Sequence, residues 1–379
     1  MSLQLAMGYR HRKRHATGFT YPALLFMMTP MTHTSTSFSI GEIAVVLSHY
    51  NIGIIVNADV FARGSAKAPK LLITAERGAF LLKRRARGKD DPNLVAFSHG
   101  LQLHLSAKAF PLPHLIGTRN DNNSMVHFDG AIYELFEYVP GTPFDFSKES
   151  VYQSGRALSL FHKLTADYRS DFTVPEHNAY HAHPAMASAF KRLDALLDEV
   201  ATPAELPEAK AQLARLQAAY RQAEAKVTAL GLAQWPIGLV HADFHPGNCL
   251  YKQEHVVAVI DFDSCRMQQR ILDTANAALQ FSIRLGAGDP RGWKVNLHAG
   301  RLKAFVAGYE SLQLLTTAEL HSMPWLMIES MTSEVILGLK AKGAMAGFTA
   351  PAWLAMLDAK VSWVLQHAEL LIQALDAQH

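Results

Sequence analysis

His241-Ala242-Asp243-Phe244-His245-Pro246-Gly247-Asn248, followed after twelve residues by Asp261-Phe262-Asp263, carries more structural information than any other stretch of this chain. Gly238-Leu239-Val240 runs into it, and Cys249-Leu250-Tyr251 and Val256-Val257-Ala258-Val259-Ile260 read as two short strands. Between them Lys252-Gln253-Glu254-His255 is polar and short enough for a hairpin turn. A hairpin brings its open ends together, so the amide oxygen of Asn248 and the carboxylate of Asp261 converge on one point. A small set of oxygen ligands of that kind suits Mg²⁺, which keeps several waters. Asp243, five residues before Asn248, faces the same space and is placed to accept a hydroxyl proton. The same residue types would also serve an ordinary hairpin with polar ends, and Asp273 a helix N-cap.

The whole sequence agrees with a large globular protein: 379 residues, 49% hydrophobic and 18% charged, enough for an extended core or two lobes. A formal net charge of +3 gives no nucleic-acid footprint and no polybasic membrane surface. The two cysteines, Cys249 and Cys265, flank the motif; in a chain this long they point to a reducing cytosol and to small buried side chains. No apolar run reaches the length of a membrane span. Arg10 to Arg14 is a basic cluster and Ala23 to Met28 a short apolar run between prolines. The run is short for a secretory signal and no clean cleavage site follows, so translation is expected to begin at Met28 or Met31.

The motif resembles the catalytic loop and metal aspartate of the protein-kinase-like superfamily. Within it the match is to the aminoglycoside phosphotransferase, choline kinase and homoserine kinase branch, where H-x-D-x-H-x-x-N followed by I-D-F is usual. The resemblance covers about residues 39–300. It implies an α+β fold in two lobes, a small antiparallel sheet that holds nucleotide and a large, mainly helical lobe. It also implies that Asp243 is the catalytic base, that Asn248 and Asp261 are Mg²⁺ ligands with Asp263 in a lesser metal-facing role, and that His241 anchors the loop. Asp273, in Ile271-Leu272-Asp273-Thr274-Ala275, then braces the loop from below. The expected division is an extension over 1–38, a nucleotide lobe over 39–140 ending in a hinge, and a helical lobe over 141–379. The last contains the catalytic loop 241–248 and a helical insertion over 173–236.

Residues 40–50 have helical spacing, and 56–61, 70–74 and 79–85 read as strands. Ala62 to Pro69 lies where a phosphate-covering loop belongs, and Gly64 and Ser65 let backbone N–H groups approach phosphate oxygens. Lys83 sits on an apolar strand, and the resemblance makes it the lysine of the α- and β-phosphates. Arg84, Arg85 and Arg87 stand beside it as surface-type neighbours. The sequence departs from the family here: Asp91 to Lys108 holds no glutamate to pair with Lys83. His99 and Gln102 have the expected separation, and only neutral hydrogen bonds to the lysine are expected. Ile132 to Tyr138 followed by Val139-Pro140-Gly141 resembles the hinge, with the Glu137 carbonyl and the Val139 N–H reading adenine and Phe136 as gatekeeper.

The remainder reads as helix. His162 is expected to be a core histidine. His177, His181 and His183 suggest zinc but lack a fourth ligand at metal spacing. Residues 205–230 read as a solvated helix or one that docks a partner. Three helices, over 294–314, 317–338 and 351–377, should wall an acceptor pocket, with Trp325, Trp353 and Trp363 as core or as a cage for a quaternary ammonium. Acidic residues there are too sparse for a polycationic aminoglycoside. The function expected is ATP- and Mg²⁺-dependent transfer of phosphate to a hydroxyl of a small metabolite, such as an amino alcohol, a homoserine-like compound or a sugar, in the cytoplasm. The missing glutamate keeps a non-catalytic nucleotide-binding module in view, and a stress-response or spore-coat type of protein kinase is the other alternative.

Overall fold

The computed structural model describes residues 38–65, 67–175 and 177–377, so the expectation for the first 37 residues lies outside the described part. Helix α1 (Ile40–Ser48) opens on a capping box: the Ser39 hydroxyl accepts from the Glu42 N–H at 3.1 Å, and the Glu42 carboxylate accepts from the Ser39 N–H. Five strands follow, β1 (Ile55–Val60), β2 (Lys70–Ala75), β3 (Gly78–Arg84), β4 (Val126–Phe128) and β5 (Ala131–Glu137), in an antiparallel sheet of order β1-β2-β3-β5-β4. Alternation sorts their side chains: Ile73, Leu82, Tyr133 and Leu135 pack with Val46 and Leu47 of α1 on one face. The other face of β3 and β5 carries Lys83 and Glu134, toward α2 (Pro92–Ala107).

The helical part holds α3 (Lys148–Leu164), the insertion helices α4 (Met186–Val200) and α5 (Leu206–Ala229), then α6 (Arg270–Ser282), α7 (Ala299–Glu310), α8 (Thr317–Leu339) and α9 (Ala350–Asp376). Two-stranded antiparallel pairs complete it: β6 (Ile237–Val240) with β9 (Arg266–Gln269), β7 (Cys249–Lys252) with β8 (His255–Val259), and β10 (Ala344–Met345) with β11 (Phe348–Thr349). The architecture is the expected two-lobed α+β fold. Insertion helix α5 buries Leu213, Leu216, Tyr220 and Val227 in the main core, so it is not solvated all round. The helix expected from residue 294 begins only at Ala299, because a turn at Pro290–Gly292 precedes it and His298 caps it. The tryptophans form no cage: Trp353 packs on Trp293, Lys226 lies over Trp325, and Trp363 stacks on His367. Among the described residues no helix is long and apolar enough to cross a membrane.

Helices α3 and α7 cross with almost no space between their backbones. A Cβ added at Gly155 would lie 2.0 Å from the Phe305 carbonyl oxygen, and one added at Gly308 2.0 Å from that of Tyr152. Both contacts are with backbone, so relief requires the helices to separate. Gly155→Ala and Gly308→Ala should each destabilise the protein by about 1–3 kcal/mol, read by urea denaturation. Gly41→Ala, with nothing within 4 Å of the added carbon, should be neutral or slightly stabilising in the same assay.

Candidate active site

The catalytic loop hangs from one buried carboxylate. Asp273, in the first turn of α6, accepts from the backbone N–H of His241 at 2.8 Å and of Ala242 at 2.9 Å. His162 on α3 lies 3.0 Å from the same carboxylate through Nε2, and its Nδ1 lies 2.8 Å from the Tyr309 hydroxyl on α7. Burial pushes the Asp273 carboxyl up, but His162, His241 and these hydrogen bonds outweigh it and hold it below the usual range. Ala242 is forced to a φ of 62°, a left-handed conformation uncommon for a residue with a side chain. His241 itself is clasped by the rings of Phe161, Phe244 and Phe262 at centroid distances of 5.8, 5.6 and 5.2 Å.

Beyond Ala242 the loop turns Asp243 into the cleft. Asn248 Nδ2 donates to the Asp243 carbonyl at 2.9 Å and to its carboxylate at 3.3 Å, which aims the Asn248 side-chain oxygen the other way. The Ile260 N–H donates to the Asn248 carbonyl at 3.0 Å and closes the hairpin, so Asp261 starts beside Asn248. Asp261 has a φ of 66°, a second left-handed residue at the site. Burial, then Asp261 and Glu334, push the Asp243 carboxyl well above the usual range, against Lys89 and Asn248. His245 Nδ1 accepts from the Gly247 N–H, which leaves the ring proton on Nε2, 3.8 Å from the Asp243 carboxylate. Burial and His241 bring the His245 pKa down to about 4, so the ring is neutral.

The sheet supplies the cations. Lys83 lies directly opposite Glu134 in the β3–β5 register, and its Nζ is 3.6 Å from Glu134 and 3.6 Å from Asp263. Lysine therefore has carboxylate partners, and the expectation of neutral partners only is corrected. Gln102 turns away and bonds Ser98. His99 contacts Glu134 at 2.6 Å, not the lysine. The glutamate beside Lys83 stands on strand β5, not on helix α2. Asp263 is placed on Lys83 and Arg85 rather than beside Asn248. Lys70, opposite Lys83 on the other side, went unread in the sequence; its ammonium bonds the Arg63 and Ala68 carbonyls and so staples the loop containing Gly64 and Ser65. Burial and Lys83 lower its pKa to about 8.

The segment after β5 is tied to the catalytic hairpin. The Tyr138 N–H bonds the Ala79 carbonyl, and Thr142 and Tyr251 exchange backbone hydrogen bonds at 2.8 and 3.0 Å. Phe136, Glu137 and Val139 therefore border the seam between sheet and helices. The histidines of the triplet are engaged separately: His181 bonds Glu329 at 2.9 Å and His183 accepts from the Ala185 N–H. Among the described residues no three His, Cys, Asp or Glu side chains gather to hold an ion by themselves. One amide oxygen and one carboxylate, at Asn248 and Asp261, fit instead a hard cation completed by waters and phosphate oxygens. Both cysteines are buried free thiols.

Glu134 is fully buried, and although burial raises its carboxyl, Lys83, Arg85 and His99 bring the pKa from 4.5 to about 2. A depressed folded-state pKa stabilises fully above the unfolded value near 4.5, and that contribution is lost as pH falls through about 2. Glu134→Gln should therefore cost about 3 kcal/mol at neutral pH and flatten the acid limb of stability, read by denaturant titrations across pH.

Residues 60–315, more than half the chain, match the family model described as the phosphotransferase enzyme family. A homoserine kinase of Xanthobacter autotrophicus is 26% identical over 293 residues, 76% of this chain and 82% of that protein. Among solved structures, an aminoglycoside phosphotransferase of Alicyclobacillus acidocaldarius superposes with a TM-score of 0.65 at 18% identity, covering 91% of this chain and 98% of its own. A microcompartment-associated aminopropanol kinase gives a TM-score of 0.64 at 16% identity, covering 86% and 96%. The shared fold, the matched span and the loop built on Asp273 agree, and the chain belongs to the phosphotransferase enzyme family.

Proposed function

We propose that this protein transfers the γ-phosphoryl group of ATP, as its Mg²⁺ complex, to the hydroxyl of a small hydroxy amino acid or amino alcohol. The observation that carries this reading is the meeting of Asp243, Asn248 and Asp261 at one end of the hairpin. Asp261 lies close enough to raise both the Asp243 and the Lys83 pKa. Mg²⁺ held by Asn248 and Asp261 would neutralise phosphate charge as it develops. Lys83 orients the phosphates. Asp243 accepts the acceptor's hydroxyl proton while the new O–P bond forms and the bond to the β-phosphate oxygen breaks. Neutral His245, with its proton toward Asp243, keeps that carboxylate oriented. Adenine lies against the Glu137 to Val139 segment.

Two charges beside Asp243 favour a zwitterionic acceptor. Arg266, on β9 opposite Val240, feels both Asp243 and Asp273, and its Nε is buried with no hydrogen-bond partner among the described residues. Glu334 on α8 acts on Asp243 from another side. An acceptor carrying a carboxylate for Arg266 and an ammonium for Glu334 uses both, as homoserine does, whereas a sugar uses neither. That the sequence relatives include a homoserine kinase supports the same choice. Lys83 has a carboxylate partner in Glu134 at 3.6 Å, which supports the catalytic reading over a non-catalytic module.

The test is ADP release with Mg²⁺ and ATP across hydroxy amino acids, amino alcohols, choline and sugars. Turnover should be highest with a hydroxy amino acid, and no acceptor-dependent turnover would sink the proposal. Asp243→Asn should lower turnover about 10²–10⁴-fold with nucleotide binding nearly intact. Asp261→Asn should remove the Mg²⁺-dependent part of nucleotide affinity in a binding titration. Arg266→Gln should raise the acceptor KM about tenfold or more, leaving the ATP KM in place.

A further inference from the structure

Arg85 was read in the sequence as one of three incidental arginines, yet it lies at the centre of the charge cluster. Arg84 beside it points to the opposite face and pairs with Glu42. Arg85 is buried, and its fork spans the two lobes: Nε donates to Glu134 at 2.7 Å, Nη2 to Asp263 at 2.6 Å, and Nη1 to the Lys89 carbonyl at 2.9 Å. Glu134 and Asp263 are the two carboxylates that also face Lys83, each at 3.6 Å. Glu134 Oε2, the atom on the lysine side, makes no hydrogen bond within the described residues, whereas its Oε1 is taken by Arg85 and His99. The carboxylates are thus bonded tightly to the arginine and loosely to the lysine. Lys83 and Arg85 balance the two carboxylates they contact, and Lys70 is a further cation nearby, bonded to carbonyls.

We propose that Arg85 is a positioning residue for nucleotide binding: it holds Glu134 and Asp263 so that Lys83 is free to exchange its contact with Asp263 for a phosphate. The inference rests on the reading of Lys83 as the phosphate-binding lysine. When Lys83 moves onto a phosphate, a buried Asp263 would be left unpaired unless a second cation stayed with it. Arg85 is that cation, and its planar fork engages both carboxylates at once, which a lysine at the same position does not reproduce. Without Arg85, two carboxylates share one ammonium. They retain Lys83, and the cluster offers the incoming phosphates one positive charge fewer.

The charge balance gives a test that a purely structural role would not pass. Nucleotide dissociation constants are measured by calorimetric titration with ADP in EDTA, so that metal binding does not enter, on the wild type and on Arg85→Met, Arg85→Lys and the double variant Arg85→Met with Asp263→Asn. Arg85→Met should weaken ADP binding about tenfold or more, and Arg85→Lys should recover part of it. The double variant should bind ADP more tightly than Arg85→Met alone, because removing the second carboxylate restores the original net charge and releases Lys83. Unaltered binding in Arg85→Met, or a double variant weaker than that single one, overturns the inference. Should Arg85→Met not fold, the folded Arg85→Lys variant decides: binding equal to wild type overturns the proposal, and an intermediate loss supports it. A wild type that binds no nucleotide with or without Mg²⁺ overturns the phosphotransfer reading itself, and the inference falls with it. Loss confined to the arginine variants keeps the two apart.

Discussion

The Asp273 carboxylate is the contact on which the rest of the site depends. Two consecutive backbone N–H groups, those of His241 and Ala242, and the ring of His162 converge on it within 3.0 Å. Donors aimed at one buried anion leave the chain a single path, which carries Ala242 into the left-handed region and swings Asp243 outward. The brace is itself braced. His162 stands on α3 and meets Tyr309 of α7, and those helices are held at backbone contact by Gly155 and Gly308. Packing of two glycine-faced helices thereby sets the position of a carboxylate on a distant loop. Strain at Ala242 and Asp261 persists because the surroundings over-determine both residues.

A second constraint is charge. Lys70, Lys83 and Glu134 form one row across β2, β3 and β5, and Arg85 and Asp263 close the row against the helical lobe. Glu134 and Asp263 are each met by Lys83 and Arg85, as desolvation requires, while Lys70 is held by carbonyl oxygens. The charge cluster belongs to the sheet and the hairpin end at Asn248 and Asp261 to the helical part. Cations on the sheet side and oxygen ligands on the helical side are the complement an anionic nucleotide and a hard cation require.

Much of the motif region was legible because its chemistry is local. The spacing from Asp243 to Asn248 to Asp261 spans a single hairpin, and turn length fixes which ends meet. Asp273 was legible through family resemblance, and the helix that carries it starts at Arg270, earlier than an N-cap at Asp273 would have it. Strand β9 was missed because Arg266-Met267-Gln268-Gln269 has little apolar alternation; its pairing with β6 shows only in three dimensions. Glu134 was missed for a related reason. It sits in the segment read as the approach to the hinge, and only the β3–β5 register puts it opposite Lys83. The alternation of Phe80 and Leu82 against Tyr133 and Leu135 was available in the sequence and would have suggested that register. Arg85 could not be told from its neighbours without knowing which face of the strand end it occupies.

Phosphorus NMR of the product tests the phosphotransfer reading most directly. Wild-type protein is incubated with ATP, Mg²⁺ and homoserine, and the phosphorus spectrum is followed with proton coupling. The expected result is a new phosphomonoester resonance coupled to the methylene protons next to the acceptor oxygen, growing in equal amount with ADP and absent with Asp243→Asn. ATP that binds yet stays intact with homoserine, amino alcohols and sugars alike, or ADP that appears only with free phosphate, would contradict it.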